Sequence, residues 1–201
     1  MIRPASDADI PAILAIWNPL IRDTAVTFAG EARTAGDLAR TLAERRAAGR
    51  AFLVAAGGGA EGGGGGEGAG EGAGEGAGEG TGEGAGEGGA ILGFCTYAQF
   101  RAGSGYGRTM EHTIVLAPGA RGRGLGRALM AAVEDHAAAR GAHVMVAAIS
   151  GENAAGLAFH RALGYREAGR LPQAGFKFGR WLDLVLMQKM LGPPDIPPQG
   201  G

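Results

Sequence analysis

Hydrophobic residues along the chain follow two periods, one typical of helices and one typical of strands. Ile10, Ile13, Leu14 and Trp17 recur at helical spacing, which predicts an amphipathic helix. His143–Ile149 is almost wholly apolar, as is typical of a strand covered on both faces. The whole pattern predicts strands at 1–5, 51–56, 90–100, 109–116, 143–149, 165–170 and 181–190, and helices that begin near residues 9, 34, 124 and 153.

The order of these elements, β-α-α-β-β-β-α-β-α-β-β, predicts an α/β domain with a mixed sheet flanked by helices. Strand 109–116, helix 124–140 and strand 143–149 predict a right-handed βαβ crossover, since nearly all such connections have that hand. The length of 201 residues suits a single domain, which we place at residues 1–191.

Residues 57–89 interrupt the pattern with a repeat of Gly, Ala and Glu. The segment holds 20 glycines and 7 glutamates, and no apolar residue larger than alanine. Such a composition buries too little surface to offset the entropy of ordering, so we interpret it as a disordered insert in a β-hairpin turn. A long loop is tolerated there because closure entropy grows only with the logarithm of its length. The Pro/Gly-rich residues 192–201 are interpreted as a flexible tail.

The net charge changes once the insert is set aside. The chain carries −1, but the residues outside the insert keep all 19 basic residues and 13 acidic ones, or about +6. Weak positive charge suits an anionic small ligand, and its scatter gives no indication of nucleic acid. Without an apolar leader or membrane-length run, we expect a cytoplasmic protein that contacts no membrane. The single Cys95 excludes an internal disulfide and is interpreted as a buried core residue.

The strongest chemical signal lies between a predicted strand and a predicted helix. Its glycines let the backbone approach a ligand closely, and the start of the helix offers unpaired N–H groups and the positive end of a dipole. Its arginines add charge-assisted contacts to phosphates. We therefore predict a phosphate or pyrophosphate site formed by Arg121, Gly122, Arg123, Gly124, Leu125 and Gly126.

Two other phosphate-binding motifs fail at specific residues. A P-loop requires Lys and Ser or Thr at the positions that Leu125 and Gly126 occupy. A dinucleotide fingerprint requires a third glycine at the position of Arg127. Strand 143–149 also ends without the acidic residue that would hold a ribose.

The pattern Arg-x-x-Gly-x-Gly instead resembles the acetyl-CoA loop of the GNAT acetyltransferase superfamily. A closer similarity, to the phosphinothricin/methionine sulfoximine acetyltransferase branch, runs through most of residues 1–56 and 90–191. It departs from that branch at the glycine insert and at Met110, where Val is usual. The segments that carry it are Thr109–His112, His143–Ile149, His160–Tyr165 and Gly175–Asp183.

The resemblance implies an enzyme that transfers acetyl from acetyl-CoA directly to an α-amine. The implied acceptor is a small amino-acid analogue such as phosphinothricin, methionine sulfoximine or methionine sulfone. It also implies a homodimer. The histidines show no ligand spacing with Cys or acidic residues, so we predict no metal.

Site roles follow from the resemblance and from local chemistry. Glu111 lies in an apolar strand, where burial would raise its pKa toward the range of a general base. His160 stands where many members have Tyr and the branch has His, which suits an acid toward the CoA thiolate. The backbone of His112, Thr113 and Ile114 is expected beside the acetyl-pantetheine arm. Asn153 is expected to bind that arm, to cap a helix, or to do both. The acceptor is expected to contact Phe28, Arg101, Tyr106, Thr109 and Glu111.

Two other hypotheses remain open from the sequence. One is an acetyltransferase for peptide or protein N-termini, which would need an open groove. The other is a non-catalytic acyl-CoA-binding module, which would bind the coenzyme and acetylate nothing. Glu111 and His160 together favour an enzyme.

Overall fold

The chain alternates strands and helices in the order that the hydrophobic pattern predicts. A computed structural model describes residues 1–57 and 89–192, so residues 58–88 of the insert and 193–201 of the tail lie outside the described residues. The strands are β1 Ile2–Pro4, β2 Phe52–Ala56, β3 Ile91–Gln99, β4 Thr109–Leu116, β5 Val144–Ser150, β6 Arg166–Lys177 and β7 Arg180–Met190; the helices are α1 Ile10–Asp23, α2 Ala35–Ala47, α3 Leu125–Ala139 and α4 Ala154–Ala162.

Within the described residues the strands form one sheet in the order β1-β2-β3-β4-β5-β7-β6. The pair β4–β5 is parallel and the other neighbours are antiparallel, which confirms the mixed sheet. The parallel pair is joined through α3, as the βαβ pattern requires. The fold is therefore the α/β arrangement that the sequence predicts.

Two hydrophobic cores lie on the two faces of the sheet. Ile13 and Trp17 of α1 pack with Leu38 of α2 and Phe94 of β3 on one face. Leu129 and Met130 of α3 pack with Cys95, Met145 and Met187 on the other. Each large side chain buried this way contributes about 1.5–3 kcal/mol. Cys95 is fully buried, as predicted, and burial raises the pKa of its thiol.

Helix starts are built differently in the two halves of the chain. Thr34 and Asp37 form a reciprocal capping box at the start of α2. Asn153 caps α4, where its Oδ1 accepts from the N–H of Gly156 at 2.8 Å. Helix α3 begins after Gly124 without a side-chain cap, and its first turn holds no acidic residue. Its N–H groups are therefore left for another partner.

The insert joins β2 to β3. Ala56 pairs with Ile91, and the N–H of Gly57 donates to the carbonyl of Ala90 at 2.9 Å. The two ends that flank the insert are therefore hydrogen-bonded neighbours in an antiparallel hairpin.

Strand β6 is longer than the predicted strand at 165–170, and that prediction was wrong in length. Pro172 and Gly175 look like loop residues in sequence, yet the strand continues through a bulge to Lys177. Asp183 supports the bulge, because its Oδ1 accepts from the N–H of Gln173 at 3.0 Å. That bond holds Gln173 at a φ of 53°, in the left-handed region.

The described helices differ from membrane-spanning helices in length or in apolar character. Within residues 1–57 and 89–192, none of them combines the length and the apolar character needed to cross a bilayer.

Candidate active site

A gap opens in the sheet between β4 and β5. The two strands pair from Thr109 and Val144 as far as Glu111 and Val146, and their register ends there. Beyond that point β4 continues to pair with β3 on its other side, through Leu116. The edge of β4 that faces the gap therefore offers backbone groups to a ligand, in the way that an added strand would use them.

Two adjoining cavities occupy this gap. The first, of about 400 Å³, is bounded by β4, β5 and the segment that follows α1, and Glu111 and Phe28 lie in its wall. The second, of about 540 Å³, runs along β4 to the start of α3. Ile114, Asn153 and His160 line both. The cavities are thus two parts of one cleft across the open sheet.

The start of α3 forms the far end of the second cavity. Gly122 and Gly124 have φ values of 74° and 78°, a conformation that only glycine adopts at low cost. Arg121 and Arg127 line the same cavity. Together with the uncapped N–H groups of α3, these side chains provide a site for an anionic group such as a pyrophosphate.

Glu111 is the carboxylate in the wall of the first cavity. It is half-buried at the point where β4 and β5 separate. Burial raises the pKa of the Glu111 carboxyl above its ordinary value, and the nearby cation of Arg101 opposes that rise. A carboxylate with a raised pKa in a cleft is suited to accept a proton.

His112 and His160 form a buried pair beside the cleft. Their rings stack with centroids 5.0 Å apart, and their Nε2 atoms are separated by 3.2 Å. Burial lowers the pKa of both imidazoles, to about 3 for His112. Both rings are therefore neutral near neutral pH.

The hydrogen bonds of this pair determine where its protons lie. Nδ1 of His160 is 2.7 Å from the carbonyl oxygen of Gly156, so Nδ1 carries the proton and donates. In a neutral ring Nε2 of His160 then accepts, and Nε2 of His112 donates to it. This leaves Nδ1 of His112 as a buried acceptor without a partner among the described residues.

A second polar network lies behind the histidines. The hydroxyl of Tyr165 donates to Oε1 of Glu134 at 2.8 Å, and Nζ of Lys189 donates to Oε2 at 2.5 Å. The ring of Tyr165 meets His112 and His160 edge-on, at 5.7 and 5.2 Å between centroids. The position of the imidazole pair is therefore fixed from the side of the core.

Comparisons with known proteins agree with this geometry. Residues 74–165 match the sequence profile of the Acetyltransferase (GNAT) family. A protein of Pseudomonas paraeruginosa named L-methionine sulfoximine/L-methionine sulfone acetyltransferase is 37% identical over 195 residues, 96% of this chain and 95% of the relative. The chain belongs to the GNAT acetyltransferase family. It is therefore an acyltransferase.

Two solved structures show how closely this GNAT acetyltransferase follows the family fold. A GNAT superfamily phosphinothricin acetyltransferase from Sinorhizobium meliloti in complex with AcCoA has a TM-score of 0.76 and 28% identity, covering 96% of this chain and 88% of that one. A ribosomal-protein-alanine N-acetyltransferase from Brucella melitensis has a TM-score of 0.75 and 34% identity, covering 94% and 99%.

The structure brings most of the predicted site residues of this acetyltransferase together. The first cavity contains Phe28, Glu111, His112, Thr113, Ile114, Asn153 and His160. The second contains Ile114, Arg121, Gly122, Gly124, Gly126, Asn153 and His160. Asn153 also caps α4, as the sequence suggested, and its contact with the pantetheine arm stays a prediction.

Five predicted site residues line neither of the two cavities that the described residues form. Arg101 and Tyr106 are exposed in the segment between β3 and β4, and Thr109 pairs with Val144 before the gap opens. Arg123 is exposed, and Leu125 packs against the core below α3. Arg101 still acts on the site through its charge, because it lowers the pKa of Glu111.

Two basic residues in or beside the first cavity were given no role by the sequence analysis. Arg33 lines the first cavity, with its guanidinium 4.3 Å from the ring centroid of Trp17. Lys177 is buried, and its ammonium donates to the carbonyls of Ile21, Thr24 and Thr27. Arg33 belongs to none of the segments that carry the resemblance, whereas Lys177 lies within Gly175–Asp183. Both are placed by contacts between segments distant in sequence.

Metal ligands were not expected in this family member. The described residues contain no group of three or more His, Cys, Asp or Glu side chains that could hold a metal ion.

Proposed function

We propose that this enzyme acetylates the α-amine of a small amino-acid analogue of the phosphinothricin, methionine sulfoximine or methionine sulfone type, with acetyl-CoA as donor. The observation that carries the proposal is the arrangement of the cleft. One end holds a half-buried carboxylate, and the other ends at the uncapped start of α3.

The residues of the second cavity fit acetyl-CoA. Arg121, Arg127 and the N–H groups of α3 would hold its pyrophosphate, and the open edge of β4 at His112–Ile114 would pair with its pantetheine amides. Acetyl-CoA supplies the acetyl group activated as a thioester. The coenzyme-binding role of the loop does not require contacts from Arg123 or Leu125.

Glu111 would accept the proton that the acceptor's amine must lose before it attacks. An α-amine is largely protonated at neutral pH, so it needs a base. The raised pKa of Glu111 brings its basicity closer to that of the amine. It lies at the end of the β4–β5 register, in the wall of the first cavity.

His160 is proposed as the acid toward the CoA thiolate. Its Nδ1 donates to Gly156, so Nε2 is the ring atom that could serve a ligand in the cleft. Once the amine has attacked, Nε2 would take the second proton of the amine nitrogen and pass it to the departing thiolate. For this, Nε2 must exchange its contact with His112 for that ligand. The His112 side chain, whose Nε2 donates to the same atom, would compete with the ligand for Nε2 of His160.

The acceptor class is supported by size and by the relatives. The first cavity, at about 400 Å³, has room for an amino-acid-sized molecule. The relative with 37% identity is named for methionine sulfoximine and methionine sulfone, and the Sinorhizobium structure is named for phosphinothricin.

A second candidate function is acetylation of a protein N-terminus. The Brucella structure, with 34% identity, is named for alanine of a ribosomal protein. That activity would need an acceptor groove longer than the first cavity. The observed cavity favours the small-molecule acceptor.

A thiol-release assay tests the proposal with acetyl-CoA and a panel of amines. The panel contains phosphinothricin, methionine sulfone, methionine sulfoximine, ordinary amino acids and short peptides with N-terminal alanine. We expect turnover of the three analogues to exceed that of the peptides by at least about tenfold, as differential transition-state binding allows. Turnover of peptides alone would overturn the acceptor class, and acetyl-CoA binding without turnover of any amine would favour the non-catalytic binding module.

Assembly into a homodimer stays a prediction. The β6–β7 hairpin lies at the edge of the sheet and exposes more than half of Phe176, Phe178 and Trp181. An unpaired edge strand with exposed aromatic side chains is a place where a second copy can pair. Light scattering should give the mass of two chains for the wild type and of one for Trp181→Lys; a monomeric wild type contradicts the prediction. A cytoplasmic location and the absence of nucleic-acid and membrane partners also stay predictions.

A further inference from the structure

Arg33 is a cation at the acceptor end of the cleft that no predicted role uses. It lies between α1 and α2, and its side chain lines the first cavity together with Glu111. None of the ion pairs formed within residues 1–57 and 89–192 includes Arg33. Its Nε is buried and has no hydrogen-bond partner there.

The backbone of Arg33 is held in place. The amide of Asn18 spans the gap between α1 and this segment: its Nδ2 donates to the carbonyl of Arg33 at 3.0 Å, and its Oδ1 accepts from the N–H of Arg33 at 2.9 Å. Asn18 is one residue after Trp17 on α1. The same helical turn therefore fixes both the Arg33 backbone and the ring under its side chain.

The Arg33 guanidinium is held over an aromatic wall. It lies 4.3 Å from the centroid of the Trp17 ring, and that ring is itself buried against Phe94. A stacked guanidinium keeps its in-plane N–H groups for a ligand, in a fork that matches a carboxylate. A buried donor without a partner carries a cost that an incoming acceptor removes.

Positive charge accumulates around Arg33. Burial lowers the pKa of Arg45, and the neighbouring cations of Arg50 and Arg33 lower it further. Nε of Arg45 is likewise buried without a partner among the described residues. An anion bound at Arg33 would relieve this like-charge repulsion.

We propose that Arg33 binds the α-carboxylate of the acceptor and thereby selects amino acids over other amines. This inference rests on the proposed function. Phosphinothricin, methionine sulfoximine and methionine sulfone differ in their side-chain groups, and the sulfone has no anionic group other than the α-carboxylate. A cation that serves the whole class must therefore contact that group. Arg101, the arginine that the sequence suggested, is exposed and does not line the described cavity.

The test compares two acceptors that differ only in the carboxylate: L-methionine sulfone and its decarboxylated counterpart, 3-(methylsulfonyl)propylamine. Arg33→Gln should raise KM for L-methionine sulfone about 10- to 100-fold, which corresponds to the loss of a hydrogen bond to a charged group. KM for the decarboxylated amine and for acetyl-CoA should stay unchanged. Arg33→Lys, which keeps the charge and loses the fork, should raise KM for the sulfone by a smaller factor.

Arg40→Gln is the matched control, because Arg40 is an exposed arginine of α2 paired with Asp37 and away from the cavity. It should leave all three KM values unchanged. A thermal melt establishes whether each variant is folded. If Arg33→Gln is unfolded, the KM values of Arg33→Lys test whether Arg33 binds the carboxylate.

The outcomes separate this inference from the proposed function. Unchanged KM for the sulfone in the Arg33 variants, or an equal rise for both acceptors, overturns the inference and leaves the proposed function standing. A rise confined to phosphinothricin assigns Arg33 to the phosphinate and also overturns it. A wild type that acetylates none of the amino-acid analogues overturns both.

Discussion

Glu111→Gln should lower kcat/KM for the amine acceptor by about 100-fold or more, the usual contribution of a positioned base. Glutamine keeps the size and shape of the side chain but cannot take a proton. The KM for acetyl-CoA should stay near the wild-type value, because Glu111 lines the first cavity and not the second. Steady-state kinetics with phosphinothricin or methionine sulfone measure the effect.

The pH profile gives a sharper version of the same prediction. Glu111 must be ionised to act, so wild-type kcat/KM should fall as pH drops through its raised pKa, and Glu111→Gln should lack that acid limb. Arg101 lowers the pKa of Glu111, so Arg101→Gln should move the limb to higher pH. Retention of the limb in Glu111→Gln, or of more than about a tenth of the activity, would assign the base to another group.

The element order and the phosphate loop could be predicted because they depend on local sequence. Hydrophobic periodicity located each strand and helix to within a few residues, apart from β6. The glycines of Arg121–Gly126 predict a backbone open to a ligand and a helix start with unpaired N–H groups. Gly124 has a φ of 78° and precedes α3, which has no side-chain cap. Glu111 was selected because it is a carboxylate within an apolar strand and lies in a segment that carries the family resemblance.

The shape of the cleft could not be predicted, because it depends on where pairing stops. Nothing in the sequence of β4 or β5 indicates that their register ends at Glu111 and Val146. The contact between His112 and His160 could not be predicted either, since it joins residues 48 apart in sequence. Alternation placed His112 on the opposite face from Glu111 but could not show that α4 carries a second imidazole to it.

Strand β6 shows how a long-range contact overrides a local signal. Pro172 and Gly175 indicate a loop, and the extension of β6 past them brings Gly175 and Lys177 against the segment after α1. A Cβ at Gly175 would lie 2.4 Å from Cδ2 of Phe28, so the Phe28 ring rests directly on the backbone of β6. The wall of the first cavity therefore depends on a strand whose sequence, with Pro172 and Gly175, is typical of a turn.

Lys177 forms hydrogen bonds with the segment that follows α1. Its ammonium donates to the carbonyls of Ile21, Thr24 and Thr27, at 2.5, 2.8 and 2.9 Å. The first of these is near the C-terminal end of α1, where carbonyls lack helical partners and a cation is favourable. Thr27 and Phe28, in the segment that follows α1, line the first cavity. Because Lys177 does not line the first cavity, we expect it to position the wall and not to contact the acceptor.

Lys177→Met should raise the acceptor KM about tenfold and leave the acetyl-CoA KM unchanged. It should also lower the free energy of unfolding by about 2–3 kcal/mol, because three carbonyls lose a charged donor. Gly175→Ala should raise the acceptor KM while Lys177 keeps its bonds, since the new methyl group displaces Phe28. Gly169→Ala is the matched control on the same strand, because a Cβ there meets nothing within 4 Å.

Kinetics with both substrates, together with thermal melts, distinguish a positioning role from general destabilisation. A loss of stability in Lys177→Met that raises both KM values equally, or lowers only the amount of active enzyme, would indicate a structural role alone. A rise in acceptor KM shared by Lys177→Met and Gly175→Ala and absent from Gly169→Ala would show that β6 sets the acceptor wall. The turn-like sequence of β6 would then be a determinant of acceptor binding, because only glycine at 175 lets Phe28 lie against the strand that Lys177 ties to α1.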